Sequence, residues 1–144
     1  MAKPDEDDRP RLLVVEDHYE TLEFLKLALV DNYEVDTATS AGEALEMMDN
    51  GDYALLLVDI ALRDEIDGVE LVAQLRQRRR LADLPIIATT AHQSREDRQF
   101  YLTHGFDDFL PKPFFPEDLF ATIERLLKEG RRGGGFLDEE SHPR

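Results

Sequence analysis

"YALLLVDIALRD", residues 53–64, drives five apolar residues, Ala54 to Val58, straight into Asp59. An apolar run without polar alternation is the pattern of a parallel strand covered on both faces. A surface acid would need no comment, but a second apolar run, Leu12 to Val15, ends the same way, in Glu16 and Asp17. Outward from these two runs, strand-length apolar segments alternate with longer amphipathic ones. RLLVV (11–15) precedes 18–31, YEVDTA (33–38) precedes 40–49, and ALLLV (54–58) precedes 68–79. PIIATT (85–90) then precedes 94–104, and DDFL (107–110) precedes 116–129. These five β/α units predict an α/β fold with a doubly wound parallel sheet.

Local chemistry marks where the helices begin and end. Ser40 with Glu43, and Ser94 with Asp97, have the spacing of a capping box. Pro116 suits a first helical position, and Glu117 and Asp118 behind it suit the positive end of the dipole. Gly105 and Gly130 read as C-terminal stops. Leu119, Ile123, Leu126 and Leu127 fall on one face of the last helix as a core stripe. Asp17 with Glu20 can be read as a cap on the first helix, and the basic run RQRRR (76–80) as the end of the third.

The totals narrow the functions. A chain of 144 residues suits one core. Acids outnumber bases 32 to 17, and a net charge of −15 repels nucleic-acid phosphate and anionic lipid, so no direct nucleic-acid contact and no membrane partner are expected. The absence of cysteine excludes disulfides, thiolate metal ligands and a cysteine nucleophile. The opening MAKPDEDDRP lacks a signal-peptide core, and no apolar run reaches the ~18 residues of a membrane span, so the cytoplasm is the expected compartment. Residues 1–10 read as a disordered acidic arm, 11–129 as the folded domain and 130–144, with Gly133 to Gly135, as a flexible tail or the start of a linker. His18, His92, His104 and His142 show no paired metal spacing and read as solvated or helix-end residues.

In an open parallel sheet, ligands bind outside the carboxyl ends of the strands. The residues at those ends are Glu16 and Asp17, Asp59, Thr90 and Lys112. Each has an ordinary explanation by itself, as a cap, a loop acid, a strand threonine or a solvated lysine. Together they bring acids, a hydroxyl and an ammonium to one rim. Two carboxylates about 4 Å apart repel by roughly 4 kcal/mol at an effective dielectric of about 20, a cost that a divalent cation relieves. An all-oxygen ligand set with few protein groups suits Mg²⁺. Metal, hydroxyl and lysine are also the parts that neutralise a phosphoryl group in transfer, and an aspartate can itself accept it.

Five motifs in order, VVED (14–17), LLLVD (55–59), DG (67–68), TTA (89–91) and KPF (112–114), resemble the receiver domain of two-component response regulators over residues 11–129. The resemblance implies a flavodoxin-like sheet of order 2-1-3-4-5, in a stand-alone, chemotaxis-regulator-like receiver. It implies Asp59 as phosphoryl acceptor, Asp17 as a direct Mg²⁺ ligand with Glu16 assisting, and the backbone carbonyl of Ala61 as a further ligand. Lys112 resembles the lysine that pairs with the acceptor and then with the phosphoryl group, and Lys112–Pro113 a peptide bond that is cis in the family. Thr90 resembles the switch hydroxyl, and Phe109 its aromatic partner, here limited to an apolar in/out movement. The implied partners are a histidine kinase or histidine phosphotransfer protein, and a downstream protein on the face of the fourth helix, fifth strand and fifth helix. Phosphorylation can also drive homodimerisation in such proteins.

The sequence departs from the family after the acceptor, where Leu62-Arg63 stands in place of Met-Pro and one extra residue precedes Asp67-Gly68. That predicts a differently shaped loop. Two rival readings remain. A Mg²⁺-dependent phosphatase with an aspartyl-phosphate intermediate places a second acid two residues after its nucleophile, where this chain has Ala61. A receiver-like module that is no longer phosphorylated would have no need of the intact chemical positions.

Overall fold

The structure, a computed structural model, describes residues 8–91 and 94–130. The arm expected over 1–10 lies outside the described residues up to position 7, as do the tail from 131 onward, His92 and His142. Chain contacts begin ahead of Arg11: Arg9 Nη1 donates to Val30 O at 2.7 Å, and Glu34 N–H donates to Pro10 O at 2.9 Å.

The strands are β1 (Arg11–Val15), β2 (Glu34–Ala38), β3 (Leu55–Asp59), β4 (Ile86–Thr90) and β5 (Asp108–Pro111). The helices are α1 (Tyr19–Leu29), α2 (Ala41–Asn50), α3 (Gly68–Arg76), α4 (Arg95–Thr103) and α5 (Pro116–Glu129). All strand pairs are parallel, in the order β2-β1-β3-β4-β5. The doubly wound α/β class and the strand order are those expected.

The apolar runs are explained by two cores, one on each face of the sheet. Leu13, Val15, Leu56, Val58, Ile86 and Ala88 pack on one side with residues of α2, α3 and α4. Leu12, Val14, Leu55, Leu57 and Ile87 pack on the other against α1 and α5. Side chains alternate across a strand, so a strand buried on both faces must be apolar at every position. Burial stabilises by roughly 25 cal/mol per Å² of apolar surface removed from water, and this holds the strand ends in fixed positions.

Caps account for most helix starts. Ser40 accepts from Glu43 N–H, and Ser94 and Asp97 form a reciprocal capping box. A second box, Asp67 with Glu70, opens α3. Pro116 sits at the start of α5. Asp17 does not cap α1: His18 is the N-cap residue and makes no side-chain cap bond.

The third helix stops at Arg76, three residues short of the expected end, and a 3-10 turn follows at Arg79–Leu81. The reason is the Arg76 guanidinium, which donates to Gly105 O, Leu81 O and Leu84 O and pairs with Asp107 at 3.0 Å. Carbonyls from 81–84 can reach it only if the chain turns back, so the basic run is more than a helix end. Arg78 leaves the helix to pair with Asp49 at 2.7 Å.

Candidate functional site

Sheet order decides which side chains meet. β1 and β3 are neighbours with Val15 opposite Val58, so the residues that follow, Glu16 and Asp59, leave the core side by side. One carboxylate oxygen from each of Glu16, Asp17 and Asp59 lies within 4.8 Å of the others. On the other side of β3, Asp59 pairs with Thr89, which puts Thr90 one step beyond. β5 pairs Pro111 with Thr90, and Lys112 N–H donates to Thr90 O at 2.7 Å. The Lys112–Pro113 peptide bond is cis.

Lys112 spans this rim. Its Nζ lies 3.1 Å from Glu16 Oε1 and 3.4 Å from Asp59 Oδ1. Glu16 is 1% exposed and Asp59 5%, so both charges are nearly cut off from water. Buried charge is tolerated only when paired and hydrogen-bonded. Asp59 Oδ1 accepts from Ala61 N–H at 3.0 Å, and Glu16 Oε2 accepts from His18 N–H at 3.0 Å. Asp17 Oδ2, nearer solvent, accepts from Arg63 N–H at 2.8 Å, with Arg63 Nε at 3.7 Å.

One part-buried ammonium and the exposed Arg63 guanidinium do not offset three carboxylates. Burial pushes the Glu16 carboxyl above its ordinary value and the Asp59 charge adds to the rise, while the His18 N–H and Lys112 oppose it. The rim is therefore short of positive charge. Three convergent carboxylate oxygens form a hard, all-oxygen donor set that fits a divalent cation.

The backbone behind the rim is tightly fitted. A Cβ on Gly68 would lie 2.4 Å from Asp59 O and 2.9 Å from Ile60 Cα, so only glycine lets α3 start against the end of β3. Gly68 N–H donates to Ile60 O at 3.2 Å. The loop between them is tethered at its middle too: Asp64 Oδ2 accepts from Ala41 N–H at 3.0 Å, at the start of α2.

The sequence reading missed Asp64, the Asp67 box and Tyr101. The Thr90 hydroxyl lies 2.9 Å from Tyr101 Oη, in a buried contact with α4. Phe109, expected beside Thr90, is half-buried, with its ring 5.8 Å from that of Tyr101. Ala61 is exposed next to Asp59.

The family model for the response regulator receiver domain matches residues 12–124. The chain belongs to the response regulator receiver family. The receiver is 36% identical over 125 residues to the transcriptional regulatory protein BasR of Escherichia coli, covering 86% of this chain and 55% of BasR. It is 40% identical over 119 residues to the response regulator MprA of Mycobacterium leprae, covering 82% of this chain and 51% of MprA. It thus spans about half the length of these two curated relatives. Among solved structures, a CheY-like receiver domain protein from Methanospirillum hungatei superimposes with a TM-score of 0.76 at 33% identity, covering 85% of this chain and 96% of that one. Receivers are regulatory phosphoacceptor domains of two-component signalling that bind Mg²⁺ through an acidic pocket, and they work between histidine kinases and downstream targets. No helix among the described residues is long and apolar enough to cross a membrane.

Proposed function

We propose that this receiver accepts a phosphoryl group on Asp59 from a histidine kinase or histidine phosphotransfer protein and signals by protein–protein interaction. The observation that carries the reading is Lys112, whose ammonium lies between Asp59 and Glu16 at the rim where Asp17 and Thr90 also arrive. An Asp59 carboxylate oxygen bonds to phosphorus, the P–N bond of the donor phosphohistidine breaks, and the released imidazole nitrogen takes a proton from solvent. The product is an acyl phosphate. Lys112 is placed to exchange its ion pair with Asp59 for one with the incoming phosphoryl oxygens.

Asp17, Asp59 and the Ala61 carbonyl would hold Mg²⁺, with Glu16 assisting. Bound there, the ion supplies neutralising charge for the phosphoryl oxygens. The added group carries about −1.5 to −2 charges at neutral pH, which biases Thr90 and Phe109. A downstream protein then reads the α4–β5–α5 face, in the cytoplasm. Ala61 stands where an aspartyl-phosphate phosphatase needs its second acid, which disfavours that alternative.

Acetyl phosphate with Mg²⁺ should label the wild type with acid-stable, hydroxylamine-labile phosphate, and Asp59→Asn should remain unlabelled. Equal labelling of the variant refutes the assignment.

A further inference from the structure

α4 is thinly attached to the body. Of its nine residues only Tyr101 is buried, at 4% exposure. Its ring is fixed by Phe106 edge-on at 5.9 Å, by Phe109 at 5.8 Å and by Phe100 edge-on at 5.9 Å. The phenol reaches the end of β4, where Oη lies 2.9 Å from Thr90 Oγ1. Thr90 is itself 2% exposed, so the two hydroxyls meet away from water. Phe109 carries no hydroxyl, and the bond that a β5 side chain cannot make is made from α4 instead.

We infer that Tyr101 is a positioning residue of the switch: its Oη holds Thr90 Oγ1 on the α4 side of β4, and this bond must break before Thr90 can serve a phosphoryl group on Asp59. The inference rests on the phosphoacceptor reading above. A threonine in a strand has few staggered positions, so its Oγ1 points in discrete directions rather than sweeping between them. β3 and β5 flank β4 on opposite sides, and Tyr101 packs on Phe109 of β5, so its phenol approaches Thr90 from the side away from β3. Turning Oγ1 toward β3 therefore carries it away from Oη. Tyr101 cannot follow, since its ring is packed on three aromatic neighbours. A buried phenol left behind loses its partner and resists the turn. The same break removes a hold on the one buried side chain of α4, which couples the acceptor rim to that helix through the Thr90–Tyr101 hydrogen bond.

The test compares wild type, Tyr101→Phe, Thr90→Ala and the double variant, titrated with beryllofluoride as phosphoryl mimic in saturating Mg²⁺. A neutral hydrogen bond has a modest net worth, so Tyr101→Phe should bind the mimic about three- to tenfold more tightly, tenfold being the equivalent of about 1.4 kcal/mol. In the Thr90→Ala background the same substitution should change nothing. Tyr101→Phe should also speed amide exchange across 95–103 in the absence of the mimic, while its melting temperature stays equal or falls. A purely structural tyrosine would lower melting temperature and raise exchange without tightening the mimic. Affinity equal to or weaker than wild type, or tightening that persists without the Thr90 hydroxyl, overturns the inference. Should the wild type neither bind the mimic nor label on Asp59, the phosphoacceptor reading fails and takes this inference with it. Normal wild-type labelling with an unaffected Tyr101→Phe refutes the inference alone.

Discussion

Asp59→Asn should make the protein more stable when no divalent cation is present. The carboxylate oxygens of Glu16 and Asp59 lie no more than 4.8 Å apart, so at an effective dielectric of about 20 they repel by roughly 3.5 kcal/mol. Asp17 is nearer solvent, and water cuts its share to about half of that. Against this, Lys112 at 3.4 Å from Asp59 is 27% exposed in its side chain and returns roughly 2–5 kcal/mol, depending on how far water screens it. The balance is a net repulsion on the order of 1–2 kcal/mol, relieved when Asn removes the charge but keeps an oxygen for the Ala61 N–H. For a domain near this size that corresponds to about 3–6 °C in melting temperature. The assay is thermal unfolding by circular dichroism in chelator and again in saturating Mg²⁺. In Mg²⁺ the gap should close or reverse, because a cation that binds only the folded wild type stabilises it by mass action and the variant has lost one of the proposed carboxylate ligands. The Glu16 carboxyl, held high partly by the Asp59 charge, should move down toward its ordinary value in the variant. An unchanged or lower melting temperature in chelator would refute the picture of a crowded rim.

Two further outcomes test the frame that holds the rim. Arg76→Met leaves Asp107, 8% exposed in its side chain, without the guanidinium 3.0 Å away, and loss of one partner from a buried pair costs about 3–5 kcal/mol. Urea unfolding should show that loss, with Arg76→Lys recovering little of it because an ammonium cannot serve Gly105 O, Leu81 O and Leu84 O together; a loss under ~1 kcal/mol would contradict the pairing. Burial pushes the Tyr53 phenol up to about 12, with its hydrogen bond to Asp36 and the Asp36 charge adding to the rise. The folded value lies above the unfolded one, so the Tyr53 contribution to stability is complete below about pH 10 and is lost as pH rises through about 12. Phenolate absorbance should show one tyrosine ionising near the upper value and absent from Tyr53→Phe, whose stability should fall less steeply across that window; ionisation of Tyr53 near pH 10 would refute the assignment.

Much of this could be read from the chain because the information is local or periodic. Leu55 to Val58 is apolar at every position because both faces are covered, and that alone marks a central parallel strand. Ser40 and Ser94 announce the starts of α2 and α4 through bonds that span only three residues. Once strand ends are located, Glu16, Asp17, Asp59 and Lys112 follow, since topology places strand ends at one rim. What could not be read depends on tertiary geometry. Arg76 looked like one more residue of a basic helix end, and only the return of 81–84 and Gly105 shows it as a part-buried staple. Nothing local to Tyr101 marks it; its phenol acquires meaning from an end of β4 eleven residues earlier in the chain.

The loop after the acceptor joins these two kinds of information. Leu62-Arg63 and the extra residue predicted an altered shape without saying which. A proline at 63 would have no N–H, whereas Arg63 N–H donates to Asp17 Oδ2 at 2.8 Å. One residue on, Asp64 Oδ2 accepts from Ala41 N–H, satisfying a donor at the start of α2 that would otherwise have no helical partner. Neighbouring residues thus tie the loop in two directions, to the Asp17 carboxylate after β1 and to the helix after β2. Gly68 closes the same segment against Asp59 and Ile60 with no room for a methyl group. The altered spacing therefore yields a braced loop, so the orientation of Asp17 is set by the segment that follows Asp59. A substitution at Asp64 acts on the rim through that brace, without replacing any of its carboxylates.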